Sequence, residues 1–397
     1  MRPKNGRLIA LVAAVAVAAI AIGGALAYRQ GPQNAALAEA APLSGSTSPT
    51  RTSTPTPAPS KTPTPSTTTQ QPPTPSAPVT SSGPTKITLN VSKLPKGRAP
   101  QIPYLVGREL LGGAGSATKI PGTGGVVDVG RLDDTVLAVV LTDNGTELVK
   151  VRDDAVVRRT AGVSSLVTST DQSGAAYAAS RPSSLGAAEK GGVVYAESGD
   201  SVRSLKLPNS WNLGVLALVD GKVYFRSGDT RDGAWKLYAW SPGDANATVI
   251  KTVTSPTALS GNGRVAAAVS LINDSGSCSS IVEVATGRQL FRTCENMVTG
   301  FTPDGLTAIG GAAYGDGYCE TAQAALESNT GRLVREWKGC FHQAVAEDDQ
   351  HLLMVAVASG GGGDPGTKSA IIRCTVNTGA CELATSISTD VALKLGS

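Results

Sequence analysis

Four aspartates recur at nearly even intervals in glycine-rich stretches of the chain, at steps of 42, 42 and 48 residues: Asp232, Asp274, Asp316 and Asp364. Carboxylates gathered on one face of a fold can hold a cation, attract a basic partner or supply acid–base catalysis. Asp and Gly also suit ordinary turns, so turn chemistry is the simpler interpretation. The functional alternative is a ring of acids that forms a ligand or partner face.

Other residues suited to catalysis are scarce. The chain has two histidines, His342 and His351. A lone histidine at the position of His342, near a predicted blade start, is more typical of a surface or packed residue than of a catalyst. The Gly-x-Ser-x-Gly pattern of an α/β-hydrolase nucleophile does not occur. The sequence therefore assigns no catalytic residue, and we predict neither a cofactor nor a metal site.

The elements that must position the aspartates are predicted from two interleaved series of turns. One series has its glycine at 199, 243, 287, 331 and 379, and the other has its turn at 221, 263, 305 and 349. Two turns in about 44 residues indicate four short strands per unit, the period of a β-propeller blade. Residues 320–328, the best helical candidate, fall on a strand in this pattern. The four aspartates fall on loops between second and third strands.

The number of turns indicates how the blades close. Seven hairpin turns of the first series occur, near residues 113, 154, 199, 243, 287, 331 and 379. Turns of the second series precede an apolar strand and are called strand openers. Only six of these occur, near residues 134, 174, 221, 263, 305 and 349. Residues 104–120 form a hairpin without an opener, and residues 391–395 form a strand without a hairpin. We therefore predict an all-β propeller of seven four-stranded blades, with six as the alternative. The last blade is closed by both termini, because pairing the two ends removes an open sheet edge.

Short motifs at these turns resemble those of known propellers. Pro303, Asp304 and Gly305 resemble the strand opener of WD-repeat-like propellers, and Thr330 and Gly331 resemble a hairpin of that family and of quinoprotein propellers. The resemblance covers about residues 100–397. It implies a member of the WD-repeat-like or quinoprotein-like β-propeller superfamily, of an exported bacterial type with a Pro/Thr-rich membrane tether.

The six cysteines are predicted to form three disulfides, each between neighbouring strands of one blade: Cys278–Cys294, Cys319–Cys340 and Cys374–Cys381. Around the hairpins, the second and third pairs occupy directly facing positions, and the first pair requires a one-residue bulge. Metal binding is the rival interpretation, but the chain lacks a close Cys-x-x-Cys pair and has almost no histidine. An even number of cysteines fits an exported protein.

The N-terminal part differs from the rest of the chain. Three basic residues precede an apolar run over residues 8–27, which is long enough to span a bilayer at ~1.5 Å per residue. We predict a signal anchor or a cleaved signal peptide over residues 1–28. Residues 29–84 are predicted to form a disordered Pro/Ser/Thr-rich linker, and residues 85–397 the propeller. The protein is then either a single-pass membrane protein with its C-terminal domain outside the cytoplasm, or secreted.

The charge distribution argues against a nucleic-acid partner. Residues 1–84 hold six basic residues against Glu39, so this segment carries +5 and the remainder −1 of the net +4. A nearly neutral domain lacks the positive field that nucleic acids require. We predict a monomeric, non-catalytic binding module for an extracytoplasmic protein or ligand. The alternative is a propeller-class enzyme, a lyase, lactonase or glycosidase, with acids at the central channel.

Overall fold

The computed structural model describes residues 83–180, 189–273, 276–314, 318–361 and 364–396. Within these ranges the chain forms strands and one 3-10 turn, Val91–Lys93, and contains no α-helix. The predicted all-β class is confirmed, and the ambiguous segment 320–328 is a strand over Glu320–Glu327. No helix in the described ranges is long and apolar enough to cross a membrane. The predicted membrane segment, residues 8–27, and the linker up to residue 82 lie outside them.

The chain contributes 29 strands to this part of the fold. In chain order they are β1 Lys86–Thr88, β2 Tyr104–Val106, β3 Glu109–Leu111, β4 Thr118–Lys119, β5 Val126–Leu132, β6 Thr135–Thr142, β7 Gly145–Arg152, β8 Ala155–Ala161, β9 Val163–Thr168, β10 Ala175–Ala179, β11 Gly192–Ser198, β12 Ser201–Leu207, β13 Trp211–Val219, β14 Lys222–Gly228, β15 Trp235–Trp240, β16 Thr248–Thr254, β17 Pro256–Leu259, β18 Val265–Asn273, β19 Gly276–Glu283, β20 Gln289–Thr293, β21 Asn296–Phe301, β22 Thr307–Ala312, β23 Glu320–Glu327, β24 Leu333–Ala346, β25 His351–Ser359, β26 Lys368–Thr375, β27 Cys381–Leu383, β28 Ser388–Thr389 and β29 Leu393–Leu395.

Most of these strands assemble into four-stranded antiparallel sheets in chain order. Strands β5–β8, β9–β12, β13–β16 and β17–β20 form four such sheets. The long strand β24 joins two further groups, because its first half pairs with β23 and its second half with β25. A last sheet contains β29, β2, β3 and β4. The described chain thus contains about seven four-stranded groups, the repeating unit of a β-propeller.

Burial along the strands follows from each sheet being covered on both faces. The second strand β10 is buried on both sides and consists of consecutive apolar residues, and β6 is buried over its first six residues. The outermost strand β8 alternates between exposed and half-buried positions. The all-buried β10 contains four alanines and one tyrosine, so neighbouring sheets can approach closely with few aromatic side chains. The core therefore lies between the sheets.

The predicted Thr-Gly hairpins have one shared geometry. Gly287, Gly331 and Gly379 have φ values of 74°, 74° and 76°, the left-handed region that favours glycine. Their amides donate to the carbonyls of Glu283, Glu327 and Thr375, in each case at 2.8 Å. The nearly regular recurrence of these turns in the sequence, at steps of 44 and 48 residues, therefore reflects one repeated backbone conformation.

The opener turns also repeat, and each contains a hydroxyl side chain that takes part in the turn. In the turn before β22, Thr302 Oγ1 donates to Asp304 Oδ1 at 2.7 Å and accepts the amide of Thr307 at 3.0 Å. Ser260 and Asn262 make the same contacts before β18, at 2.8 Å between Ser260 Oγ and Asn262 Oδ1. The repeated unit is therefore Ser/Thr-x-Asp/Asn, a side-chain mimic of a backbone turn.

The C-terminal strand of the described chain, β29, joins the sheet of the early strands β2, β3 and β4. Leu393–Leu395 pairs antiparallel with Tyr104–Val106, and Tyr104 faces Leu395. This is the neighbourhood expected for residues 391–395, although the strand itself is shorter. Before it reaches β2, the chain adds β1 in parallel to the free side of β24, which covers an edge that would otherwise be open.

The three predicted disulfides are confirmed, with Cα–Cα distances of 4.1 Å for Cys278–Cys294, 5.3 Å for Cys319–Cys340 and 4.1 Å for Cys374–Cys381. Cys374 faces Cys381 directly, as predicted. The bulge required for Cys278–Cys294 lies between Ile281 and Val282.

The register predicted for the second disulfide is wrong, although its pairing is right. Bulges at Ala325/Leu326 and at Glu320/Ala322 shift β23 against β24, so that Glu320 faces Phe341. Cys319 and Cys340 therefore do not face each other directly, and their bond runs diagonally between the strands. Bulges do not appear in turn spacing, so counting from the hairpin could not detect them.

Replacing both Cys374 and Cys381 with alanine should lower the free energy of unfolding by roughly 2–3 kcal/mol, because the cross-link restricts the unfolded chain. Chemical denaturation against the parent protein measures this difference. Non-reducing peptide mapping of the variant should still link Cys278 to Cys294 and Cys319 to Cys340. A peptide linking Cys294 to Cys319 would contradict both the pairing and the sheet order.

Candidate functional site

The first strands of five successive groups surround an open cavity of about 530 Å³. These strands are β9, β13, β17, β21 and β24, and the turns that follow them form its rim. The apolar residues of the lining include Val167, Val215, Leu216, Ala217, Leu218, Ala258, Leu259, Phe301, Ile309, Ala344 and Val345. The volume falls in the range of small-ligand sites, which are also mostly apolar.

Polar groups lie at the rim of the cavity. Gln101, Thr170 and Gln172 supply neutral donors and acceptors there, and Glu347 is the single charged residue of the lining. Thr257 Oγ1 donates to the carbonyl of Ala267 at 3.3 Å, so it already has a partner in the wall. The cavity can hold an apolar group and orient a neutral polar one at its mouth.

The charge of Glu347 is neutralised within the protein. Its carboxylate accepts two hydrogen bonds from Arg373, from Nη2 at 2.7 Å and from Nε, and both side chains are buried. The amide of Gln101 donates to Glu347 Oε1 at 2.7 Å. The pair joins the opener turn before β25 to β26 and to the segment that precedes β2. Glu347 is therefore a structural anchor rather than a free carboxylate.

A second carboxyl, Asp128, lies on the inner strand β5 with a perturbed pKa. Burial raises the pKa of Asp128 to about 7, against the lowering effect of the Val129 and Leu166 amides and of the Lys394 charge. Asp128 Oδ1 accepts the Val129 amide at 2.9 Å. The hydrogen bond from Leu166 links β5 to the first strand of the next sheet. This carboxyl thus connects two sheets, and no second carboxyl is seen to converge on it among the described residues.

The two histidines do not join this carboxyl. His342 packs edge-on against Tyr318, with ring centroids 4.6 Å apart, and partial burial together with Lys394 lowers its pKa. His351 Nδ1 lies 2.9 Å from Asp348 Oδ1 in the turn before β25. His342 is thus a packed residue, as expected from the sequence, and the contact of His351 is confined to its own turn.

The structure describes two of the four predicted face aspartates. Asp232 and Asp364 are exposed and lie on loops between second and third strands, as expected. The Asp364 carbonyl accepts the Thr367 hydroxyl at 2.8 Å, which is turn chemistry. Asp274 and Asp316 lie outside the described residues, so the acid ring stays a prediction. Among the described residues, no three His, Cys, Asp or Glu side chains form a group suited to a metal ion.

Sequence reasoning missed the cavity and Asp128. The cavity is built from first strands of different sheets, and a single sequence does not say which residues of a strand face a shared centre. Asp128 did leave a signal, since it interrupts the apolar run of Val126, Val127 and Val129. A carboxyl at such a position must be paired or protonated once it is buried.

No protein family matches this chain, and no curated protein is similar to it at the sequence level. Solved structures do match. TolB from Acinetobacter baumannii is 15% identical over 62% of this chain and 67% of that chain, with a TM-score of 0.39. The WD40 domain of coronin from Toxoplasma gondii is 10% identical over 75% and 79%, with a TM-score of 0.43.

A further match comes from a study of two prolyl endopeptidases, at 9% identity over 77% of this chain, with a TM-score of 0.44. The chain spans about half the length of that protein, 51%. The structural neighbours thus include WD40 and TolB proteins. At these identities the likeness concerns the fold alone.

Replacing Asp128 with asparagine should change how stability depends on pH. The folded pKa of about 7 lies above the ordinary value of 3.8. Between these values the folded protein keeps a proton that the unfolded chain has lost, so the wild type loses stability as the pH rises from about 4 to 7. The variant lacks this loss. The difference in free energy of unfolding, variant minus wild type, should therefore rise by roughly 1–4 kcal/mol between pH 4.5 and pH 8.

Chemical denaturation at both pH values measures the effect, and Asp232→Asn, which changes an exposed carboxyl, is the matched control. Parallel profiles for the wild type and the Asp128 variant would show that Asp128 is not protonated in the folded protein.

Proposed function

We propose that this protein is an extracytoplasmic, membrane-tethered β-propeller that binds a protein or small ligand at its central cavity without transforming it. The observation that supports this most is the lining of the cavity, which is apolar or neutral except for Glu347, and Glu347 is held by Arg373. Such a site offers apolar contact area and orienting polar groups.

The location outside the cytoplasm is supported by three features. Residues 8–27 are apolar after a basic start, and the following segment is rich in Pro, Ser and Thr. Three disulfides within the described ranges fit an oxidising compartment. In this proposal the N-terminal segment anchors or exports the protein, and the linker separates the propeller from the membrane.

We further propose that the strands form a closed ring of seven blades, completed by both ends of the chain. Support comes from the junction of β24 with β29, where Gln343 Nε2 donates to the Leu395 carbonyl at 2.8 Å and Gln343 Oε1 accepts the Leu395 amide at 2.8 Å. The Gly396 amide also donates to the Pro103 carbonyl at 2.8 Å. A closed, monomeric ring would give the cavity a fixed shape.

The raised pKa of Asp128 favours a second candidate, a propeller-class enzyme that uses this carboxyl as an acid or base, because perturbed carboxyls cluster at active sites. Against it, Asp128 is already engaged by two backbone amides, and the cavity lining contains no free carboxylate. The binding function is therefore the better supported of the two.

A displayed peptide library selected on the full-length protein tests the binding function. Binders should lose at least tenfold in affinity for Leu216→Lys, because this change places a charge in the apolar cavity, and Val345→Lys gives a second test on another strand. Leu306→Lys is the matched control, since Leu306 is an exposed apolar residue in an opener turn outside the lining.

The ligands should be recovered from the complex with unchanged mass. The cavity would be refuted as the binding site if Leu306→Lys weakened binding as much as the cavity variants do. It would also be refuted if neither cavity variant weakened binding. If the wild type returned the ligand cleaved or rearranged, and the Asp128→Asn variant returned it intact, the protein would be an enzyme instead.

Deleting residues 388–397 should destabilise the whole propeller by several kcal/mol. The deletion removes Leu393 and Leu395, both buried, and leaves β2 without its partner strand. Thermal unfolding followed by circular dichroism measures the effect. Removing residues 1–82 is the control and should leave the melting temperature unchanged. A C-terminal deletion that melts like the parent would contradict closure by both termini and would favour six blades.

A further inference from the structure

A second cavity, of about 450 Å³, lies along the seam between the β9–β12 and β13–β16 sheets. The lining of this seam groove comes from both sheets, within residues 169–175, 196–203 and 218–221, together with Pro242 and Gly261. Its volume, like that of the central cavity, falls in the range of ligand sites. The seam groove is therefore large enough to hold part of a ligand.

The seam groove adjoins the central cavity, because both are lined by Ser169, Thr170, Leu218, Val219 and Gly261. It leads away from the first strands β9 and β13 toward β12, the outermost strand of its sheet. Three strand spacings of ~4.8 Å separate β9 from β12, or about 14 Å, which about four extended residues span at ~3.3 Å each. A ligand that occupies both the central cavity and the seam groove is therefore elongated.

Two carboxylates lie at the inner end of the seam groove. Asp171 and Asp220 occupy the turns after β9 and β13, and both are exposed. Asp171 Oδ1 accepts the Ser169 hydroxyl at 2.6 Å and the Ser173 amide at 3.1 Å, and these hydrogen bonds lower the pKa of Asp171. Neither carboxylate forms an ion pair with a described residue. The inner end of the seam groove is therefore negatively charged.

The remaining charged residues of the lining complete a fixed order of charge. Glu197 adds no free charge, because it is buried and paired with Lys150, at 2.6 Å, and with Arg158 of the β5–β8 sheet. At the outer end, Arg203 on β12 is exposed and pairs with no described carboxylate. From the centre outward, the combined site thus presents an apolar wall, then two negative charges, then one positive charge.

We propose that the central cavity and the seam groove together bind one extended peptide segment of a partner protein. An apolar side chain of this peptide enters the central cavity, a Lys or Arg lies at Asp171 and Asp220, and an acidic side chain lies at Arg203. This inference rests on the proposed binding function and adds the chemical class of the ligand. Apolar contact supplies most of the affinity, and the exposed charges select the sequence of the peptide and its direction.

Sequencing the peptides that a displayed library yields on the full-length protein tests this order. Peptides whose binding is weakened by Leu216→Lys should carry an apolar residue, a Lys or Arg and an Asp or Glu, in this order or its reverse, within about six residues. Selection on Arg203→Glu should replace the acidic residue of the peptides with Lys or Arg. A merely structural role of Arg203 does not produce this exchange.

A groove variant that combines Asp171→Asn with Asp220→Asn measures the contribution of the two charges. Asn keeps a turn acceptor at each position and tolerates the left-handed conformation of Asp220. The selected peptides should lose roughly three- to tenfold in affinity, and the remaining affinity should depend less on salt. Asp133→Asn combined with Asp153→Asn is the matched control, since both are exposed, left-handed aspartates that line neither cavity.

The outcomes separate the extended site from the cavity function. Peptides that depend on Leu216 and Val345, but show no charge order and bind the groove variant as tightly as the wild type, would overturn the extended site and leave the cavity function standing. Peptides that neither Leu216→Lys nor Val345→Lys weakens would refute the central cavity, and the extended site with it. An equal loss of affinity in the matched control would show that the overall charge of the protein, not the seam groove, sets the affinity, and would also overturn the proposal.

Discussion

Each four-stranded sheet of this protein is covered on both faces by its neighbours, and the rest of the structure depends on this constraint. Second strands such as Ala175–Ala179 are buried and apolar on both sides, so a single sheet would expose them to water. The sheets therefore stabilise one another. Small residues at the interfaces permit close approach, which explains how a chain with only 4% aromatic residues builds a large core.

This constraint also explains where polar and charged groups are found. A charge between two sheets must be neutralised, and the protein does so with contacts that cross from one sheet to another. Lys150 and Arg158 of the β5–β8 sheet hold Glu197 of the β9–β12 sheet. Within one sheet, Arg373 holds Glu347 at the cavity rim, and the amide of Gln101, in the segment before β2, also donates to Glu347. These contacts fix how neighbouring sheets are oriented, so the cavity they surround has a defined shape.

Much of the fold could be predicted from the sequence because turn chemistry is local. The Thr-Gly turns at Gly287, Gly331 and Gly379 need a left-handed glycine, and this requirement is visible in one sequence. The disulfide partners followed from the same turns. The register near Cys319 did not, because bulges depend on packing between sheets. The cavity lining is a property of several strands at once, and local patterns do not contain it.

Hydrogen exchange of the full-length protein, resolved by peptide, tests mutual stabilisation of the sheets most directly. If each sheet depends on its neighbours, the second strands of all groups should exchange together, with one common free energy of opening close to that of global unfolding. The outer strands should exchange earlier by local fraying. Second strands that exchange group by group with separate free energies would show that the sheets are independently stable, and this would contradict their mutual stabilisation.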